Sequence, residues 1–163
     1  MDAIIRHAVD SDKNVIIDYA VKLSMFNRNN HNKECKYDNF ELVIKSIQIR
    51  TKEKFNNRDE NISFFIAELE GKPVGYVLGR ILEENEISDN GTGRIGLLDE
   101  LFVNETSRGI GLGQKLLDET IKWMKTKNIN RIKLHAYSWN NNAKRLYERN
   151  GFNEYVVSYE RFI

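Results

Sequence analysis

Apolar positions along the chain fall at strand spacing, then helix spacing, then strand spacing again, and the order of these periods predicts the order of elements. Residues 3–9 (Ala3-Ile4-Ile5-Arg6-His7-Ala8-Val9) form a short apolar run bounded by an Asp-Ser-Asp turn signal, and read as a first strand. Asp10 or Asp12 then caps a helix with the stripe Val15, Ile16, Tyr19, Leu23 and Phe26, which dissolves into polar residues 27–30. Asp38 followed by Glu41 resembles a capping box. It starts a second helix carrying Phe40, Val43, Ile44 and Ile47, whose end is open because residues 50–61 are almost entirely polar. Two strands at residues 62–69 and 74–82, joined by a Glu-Gly-Lys-Pro turn, predict a hairpin. The acidic run 83–91 reads as a solvated loop. Beyond it come a central strand at 94–103 and a helix at 111–127 with Leu112, Leu116, Leu117, Ile121 and Met124 on one stripe. A strand at 131–138, a short helix at 141–149 and a last strand at 154–162 complete the chain. The order β-α-α-β-β-β-α-β-α-β implies a mixed α/β fold in which helices cover one sheet.

With 163 residues and no repeat or linker, the chain is expected to be a single domain over residues 1–163. Lys and Arg number 25 against 24 Asp and Glu, so no global field exists to hold nucleic acid or an anionic membrane. No segment approaches 18 consecutive apolar residues and the N-terminus lacks signal-peptide blocks, so the expected location is cytoplasmic. Cys35 is the one cysteine, which excludes an internal disulfide; next to His31 it reads as an incidental surface thiol rather than a nucleophile. His7, His31 and His135 are too scattered for metal-ligand spacing, and no metal is expected.

The chemistry concentrates between residues 101 and 114, where an apolar strand passes through a loop with three glycines into an amphipathic helix. Glycine lets backbone N–H groups approach a ligand together, the following helix start favours an anion, and Arg108 adds a donor fork. That combination suits a diphosphate, although a plain strand-to-helix turn uses glycine too. Gln114, Lys115 and Leu116 follow the last glycine where a P-loop needs Lys and Ser or Thr. The spacing of Gly109, Gly111 and Gly113 also differs from the dinucleotide fingerprint. It does match Arg-x-x-Gly-x-Gly, through Arg108, Gly111 and Gly113. A second segment, Trp139-Asn140-Asn141-Asn142-Ala143-Lys144-Arg145-Leu146-Tyr147-Glu148-Arg149-Asn150-Gly151-Phe152, follows one helix and one strand later.

Together these motifs resemble the GCN5-related N-acetyltransferase superfamily, over roughly residues 60 to 160. The resemblance implies a mixed, mostly antiparallel sheet of six to seven strands with splayed central parallel strands, covered by about four helices. It implies acetyl-coenzyme A as cofactor, with its pyrophosphate on Arg108, Gly109, Ile110, Gly111, Leu112, Gly113 and Gln114. The pantetheine arm would lie along the backbone of Leu101, Phe102 and Val103, and Asn140, Ala143 and Tyr147 would complete the wall. Tyr147 would then act as general acid, since a phenol of pKa about 10 stays protonated beside a thiolate whose acid has a pKa of about 8.5. Read without the motif, Tyr147 is the packing aromatic of a short helix, and Asn140 an ordinary helix cap. Trp139 reads as a packing residue or as an acceptor-pocket wall.

An ammonium acceptor needs a base, and Asp99 and Glu100 are the candidates because strand alternation puts one of them on an apolar face. The polyamine branch of the superfamily has a similar Glu-Asp pair, which favours Asp99 by position, but the order here is Asp-Glu and both remain open. The resulting expectation is transfer of an acetyl group to a small-molecule primary amine by direct attack in a ternary complex. A protein or peptide amine acceptor and a non-catalytic acyl-coenzyme A sensor are the alternatives. Neither nucleic acid nor membrane is an expected partner; a homodimer is expected from the resemblance alone.

Overall fold

The computed structural model describes residues 3–36, 39–84 and 93–163. Its sheet has five strands in chain order, β1 (Ile4–His7), β2 (Ile62–Leu69), β3 (Lys72–Glu83), β4 (Arg94–Val103) and β5 (Ile132–Leu134). The first three pairings are antiparallel and β4–β5 is parallel. Helices α1 (Lys13–Asn30) and α2 (Phe40–Asn56) lie between β1 and β2 in sequence. Helix α3 (Leu112–Thr126) links β4 to β5, and α4 (Asn141–Glu148) follows.

Two apolar layers sandwich the sheet. Ile16, Tyr19 and Phe55 from α1 and α2 meet Phe64, Ile66, Tyr76, Leu78 and Phe102 on one face. On the other, Leu112, Leu116 and Leu117 of α3 and Tyr147 of α4 meet Phe65, Val77, Leu98 and Val103. Helix α3 sits close because Gly79 and Gly96 clear its path: a Cβ on Gly96 would lie 2.5 Å from Met124 Sδ.

Several boundaries differ from expectation, for physical reasons. Helix α2 runs on through the polar stretch to Asn56, because Thr51 and Phe55 continue the buried stripe of Ile47 at helical spacing. Its cap is Asn39, whose side chain accepts from Leu42 N; Asp38 and the side chain of Cys35 lie outside the described residues. Helix α1 likewise extends through Asn30. Asp12 does not cap it by its side chain but accepts Val9 N and pairs with Arg6. Of the acidic run 83–91, residues 85–91 lie outside the described residues.

The strand expected at 154–162 is not formed, so the sheet has five strands instead of six or seven. Strand β5 is paired only over Ile132–Leu134 and offers little edge. The tail is instead anchored by side chains, with Lys144 on Glu154 and the cations of Arg131 and Lys133 over the Tyr155 ring. Val156 and Val157 stay exposed; β propensity measures fit to a half-buried pleated surface, and the tail has none.

Arg6 clamps β1 to the start of α1 and to β2, with Asp12 Oδ2 at 2.6 Å from Nη1 and Glu68 Oε1 at 2.6 Å from Nη2. Its hydrogen bonds to Asp12 and then Glu68 hold the guanidinium more firmly protonated, and the bond from Arg6 holds the Asp12 carboxyl below its ordinary range. A carboxyl depressed by folding stabilises above its unfolded pKa of about 3.9 and loses that contribution as pH falls through the folded value. Arg6→Met is therefore expected to cost about 3 kcal/mol at pH 7, by stranding the buried Asp12, and to flatten the loss of stability below about pH 4. Urea unfolding at pH 7 and pH 3 checks both.

Candidate active site

The head of α3 is built as a cluster of donors. Gly109 (φ +84°) and Gly111 (φ +86°) both take the left-handed conformation that other residues avoid, turning the chain from a short 3-10 segment at Glu105–Ser107 into the helix. Among the described residues, the N–H groups of Gly109 to Gln114 donate to no protein acceptor. They include the first donors of α3, which a helix of 15 residues always leaves unmet and which carry its positive end. An anion with several oxygens fits such a set. Gly113 plays a different part: it faces Leu146 and Leu101, and a Cβ there would meet them at 3.5 and 4.0 Å, ordinary packing distances.

Arg108 is partly committed. Its Nε donates to Val103 O at 3.0 Å and its guanidinium rests on the Phe26 ring at 5.0 Å, which ties the loop to the end of β4 and to α1. Gln114 is committed as well, exchanging amide hydrogen bonds with Asn150 at 2.7 and 2.9 Å. That pair locks the start of α3 to the end of α4, leaving the Gln114 backbone N–H as its only donor toward a ligand. Asn150 was not legible as a site support from sequence.

Among the described residues, no strand pairs with the far edge of β4 beyond Leu98. Pairing with β5 covers only Gly96–Leu98 against Ile132–Leu134, so the backbone from Asp99 to Val103, including Leu101 and Phe102, is paired on the β3 side alone. The two parallel strands therefore form a fork of the kind expected for an extended arm. Asn140 caps α4 by accepting Ala143 N at 3.2 Å. Tyr147, one turn on, is buried at 9 % exposure with Phe152 edge-on at 6.0 Å. Its hydroxyl bonds no described residue, and burial pushes its pKa above the usual value, so it stays a proton donor at neutral pH. Trp139 packs: it stacks on Tyr137 at 5.5 Å and meets Phe26 of α1 at 5.7 Å.

The carboxylates occupy a β-bulge. Leu78 pairs with Glu100 while Gly79 pairs with Leu98, so Asp99 is an extra residue in β4. Simple alternation grouped Asp99 with Leu101 and Val103, and Glu100 with Leu98. The bulge breaks this, placing Leu98 with Val103 on the α3 face and turning both carboxylates to Lys54 of α2. Lys54 Nζ lies 2.9 Å from Asp99 and 3.4 Å from Glu100, and Arg80 lies 3.2 Å from Asp99. Burial raises the Asp99 carboxyl, but the bonds from Lys54 and Arg80 outweigh it and the net direction is down. Glu100 receives a hydrogen bond from Tyr76, whose phenol is fully buried and raised well above its usual pKa by that burial and by the carboxylate. A cavity of about 190 Å³ opens here, lined by Ile47, Arg50, Thr51, Lys54, Asp99 and Glu100. Sequence reasoning missed Arg50, Lys54, Tyr76 and Arg80. The only signal was Thr51 and Phe55, whose spacing turns Lys54 inward.

A larger hollow of about 510 Å³ is bounded by α3 alone, through Asp118, Ile121, Lys122, Lys125 and Thr126, and holds no group suited to acyl transfer. Among the described residues no cluster of three or more His, Cys, Asp or Glu is placed to hold a metal. No helix there is long and apolar enough to cross a membrane.

A Bacillus subtilis spermine/spermidine N(1)-acetyltransferase is 37 % identical over 84 residues, 51 % of this chain and 54 % of that protein. An uncharacterised N-acetyltransferase of Methanocaldococcus jannaschii is 34 % identical over 100 residues, 61 % of this chain and 42 % of that one. The matches thus span about half the length of these relatives. In fold, a GCN5-related N-acetyltransferase from Ralstonia eutropha superposes with a TM-score of 0.76 at 17 % identity, covering 99 % of both chains. A predicted acetyltransferase from Clostridium acetobutylicum, solved with acetyl-CoA, gives 0.73 at 20 % identity, covering 99 % of this chain and 96 % of that one. Likeness at such identity speaks for the fold alone. The model of the Acetyltransferase (GNAT) family matches residues 26–152, and the chain belongs to that family.

Proposed function

We propose that this chain transfers the acetyl group of acetyl-coenzyme A to a primary amine of a small molecule, by direct attack within a ternary complex. The observation that carries the reading is a row of N–H donors at the head of α3, unpaired among the described residues and reached from the unpaired edge of β4 through one short 3-10 segment. The coenzyme supplies an already activated thioester, so the protein's tasks are to orient it, free an amine and protonate the departing sulfur.

Residues Gly109–Gln114 and the free guanidinium nitrogens of Arg108 hold the diphosphate; the backbone of Leu101 to Val103 aligns the arm; Asn140 and Ala143 shape its wall. Tyr147 donates a proton to the sulfur. At the other end, Glu100 accepts the proton of the amine: Asp99 is held by two cations that lower its basicity, whereas Glu100 has one cation beside it, Lys54 at the longer distance, together with the hydroxyl of Tyr76. Lys54 and Arg80 also favour the uncharged amine over its ammonium, which nucleophilic attack requires.

Thiol release from acetyl-coenzyme A across polyamines, amino acids, aminoglycosides and peptides tests the reading, with some small amine expected to accelerate release. Calorimetric binding of acetyl-coenzyme A with no accelerating amine would instead favour an acyl-coenzyme A sensor, and acceleration by peptides alone a protein acetyltransferase. Gly111→Val, which forces a β-branched residue into the left-handed region, is expected to weaken acetyl-coenzyme A binding about 10- to 30-fold. No protein atom lies within 4 Å of a Cβ built at Gly111, so the loss reports the loop's shape rather than a clash in the core. Unchanged affinity in that variant would move the diphosphate elsewhere.

A further inference from the structure

We infer that the acceptor carries a carboxylate beside its amine, an amino-acid-like zwitterion, and that Arg50 is the residue that selects it. This rests on the acetyltransferase reading above and narrows it. The cavity at the β4 bulge is not an acidic trap for a polycation. Its two carboxylates, Asp99 and Glu100, are already met by Lys54, and Asp99 by Arg80 as well. Arg50 lines the same cavity and has no ion-pair or hydrogen-bond partner among the described residues. Of the described charged residues lining this cavity, Asp99 and Glu100 are met by Lys54 and only Arg50 is left without a counter-charge, so the unmet partner is an anion.

Geometry agrees with that assignment. Arg50 and Lys54 are four residues apart on α2, hence on one face and about one turn, or 5.4 Å, from each other along the axis. An acceptor whose carboxylate lies on the Arg50 fork brings an amine a few bonds away to Glu100, where Lys54 now stands. The guanidinium suits this task, because it offers two parallel donors to a carboxylate. A polyamine offers no anion to Arg50 and, in a space of about 190 Å³, has to compete with Lys54 for the two carboxylates. The Bacillus subtilis relative bears a polyamine in its name, and the cavity of this chain points to a different acceptor.

The test compares acceptors that differ only by a carboxylate: free lysine against cadaverine, and ornithine against putrescine. With the native chain and acetyl-coenzyme A, the amino acid of each pair is expected to have at least about a tenfold higher kcat/KM, mostly through KM. Arg50→Ala is expected to erase that ratio and Arg50→Lys to restore it in part; Arg50 is exposed, so neither change disturbs the core. Calorimetric binding of lysine and cadaverine to the complex with coenzyme A gives a readout free of turnover. Selective binding of lysine without acetylation would uphold this inference while sinking the enzyme. Acetylation of both diamines at least as well as the amino acids, or an unchanged preference in Arg50→Ala, would overturn the inference while leaving the enzyme standing. Binding of neither compound overturns it as well.

Discussion

Tyr147→Phe should lower kcat about a hundredfold or more while changing the affinity for acetyl-coenzyme A by less than about threefold, the size usual for loss of a proton donor. The ring stays in its layer with Phe65, Leu116 and Phe152, so packing is preserved. The hydroxyl makes no hydrogen bond to a described residue, so its removal breaks none, and stability should hold within about 0.5 kcal/mol. Burial raises the phenol's pKa, and a raised pKa keeps the proton on oxygen as pH climbs toward 10. An alkaline decline below about pH 9 would therefore have to come from another group. Stopped assays of thiol release, with binding measured separately by calorimetry, divide the two effects. Equal turnover in Tyr147→Phe would reduce Tyr147 to the packing aromatic that its surroundings also explain.

How much of this was visible in the chain depends on how local the cause is. The proposed cofactor end was legible because its parts are close in sequence: the glycines at 109, 111 and 113 come one short 3-10 segment after β4, and Asn140 caps the short helix that carries Ala143 and Tyr147. Strands β2, β3 and β4 were legible because two-sided burial leaves long apolar runs. The end of α2 was not, since only Thr51 and Phe55 of its last turns touch the core and the rest is polar. The tail misled because Tyr155, Val156 and Val157 favour strands locally, while pairing needs a partner edge that β5 does not extend. The proposed acceptor end was least legible. Arg50, Lys54, Tyr76, Arg80 and Glu100 lie on three elements, and one inserted residue in β4 decides that both carboxylates face Lys54. A bulge is a tertiary event, and alternation carries no sign of it.

Substitution of the two carboxylates should separate their roles. Glu100→Gln is expected to lower kcat/KM about a hundredfold or more, because the amide still accepts the Tyr76 hydroxyl but cannot take a proton from the amine. Asp99→Asn is expected to act first on stability, costing about 1–3 kcal/mol, since it leaves Lys54 and Arg80 facing each other with one counter-charge fewer. The pH dependence follows from direction. Folding lowers the Asp99 carboxyl, so its stabilising contribution is complete above an unfolded pKa of about 3.9 and disappears only as pH falls through the lower folded value. Asp99 is thus ionised throughout the working range and too weakly basic to set an acid limb above about pH 4. Turnover that Glu100→Gln abolishes and Asp99→Asn keeps, each read beside its unfolding free energy, would mark Glu100 as the base. Should Asp99→Asn lose turnover at unchanged stability while Glu100→Gln retains it, the proton goes to Asp99, and Glu100 with Tyr76 serves only to shape the bulge.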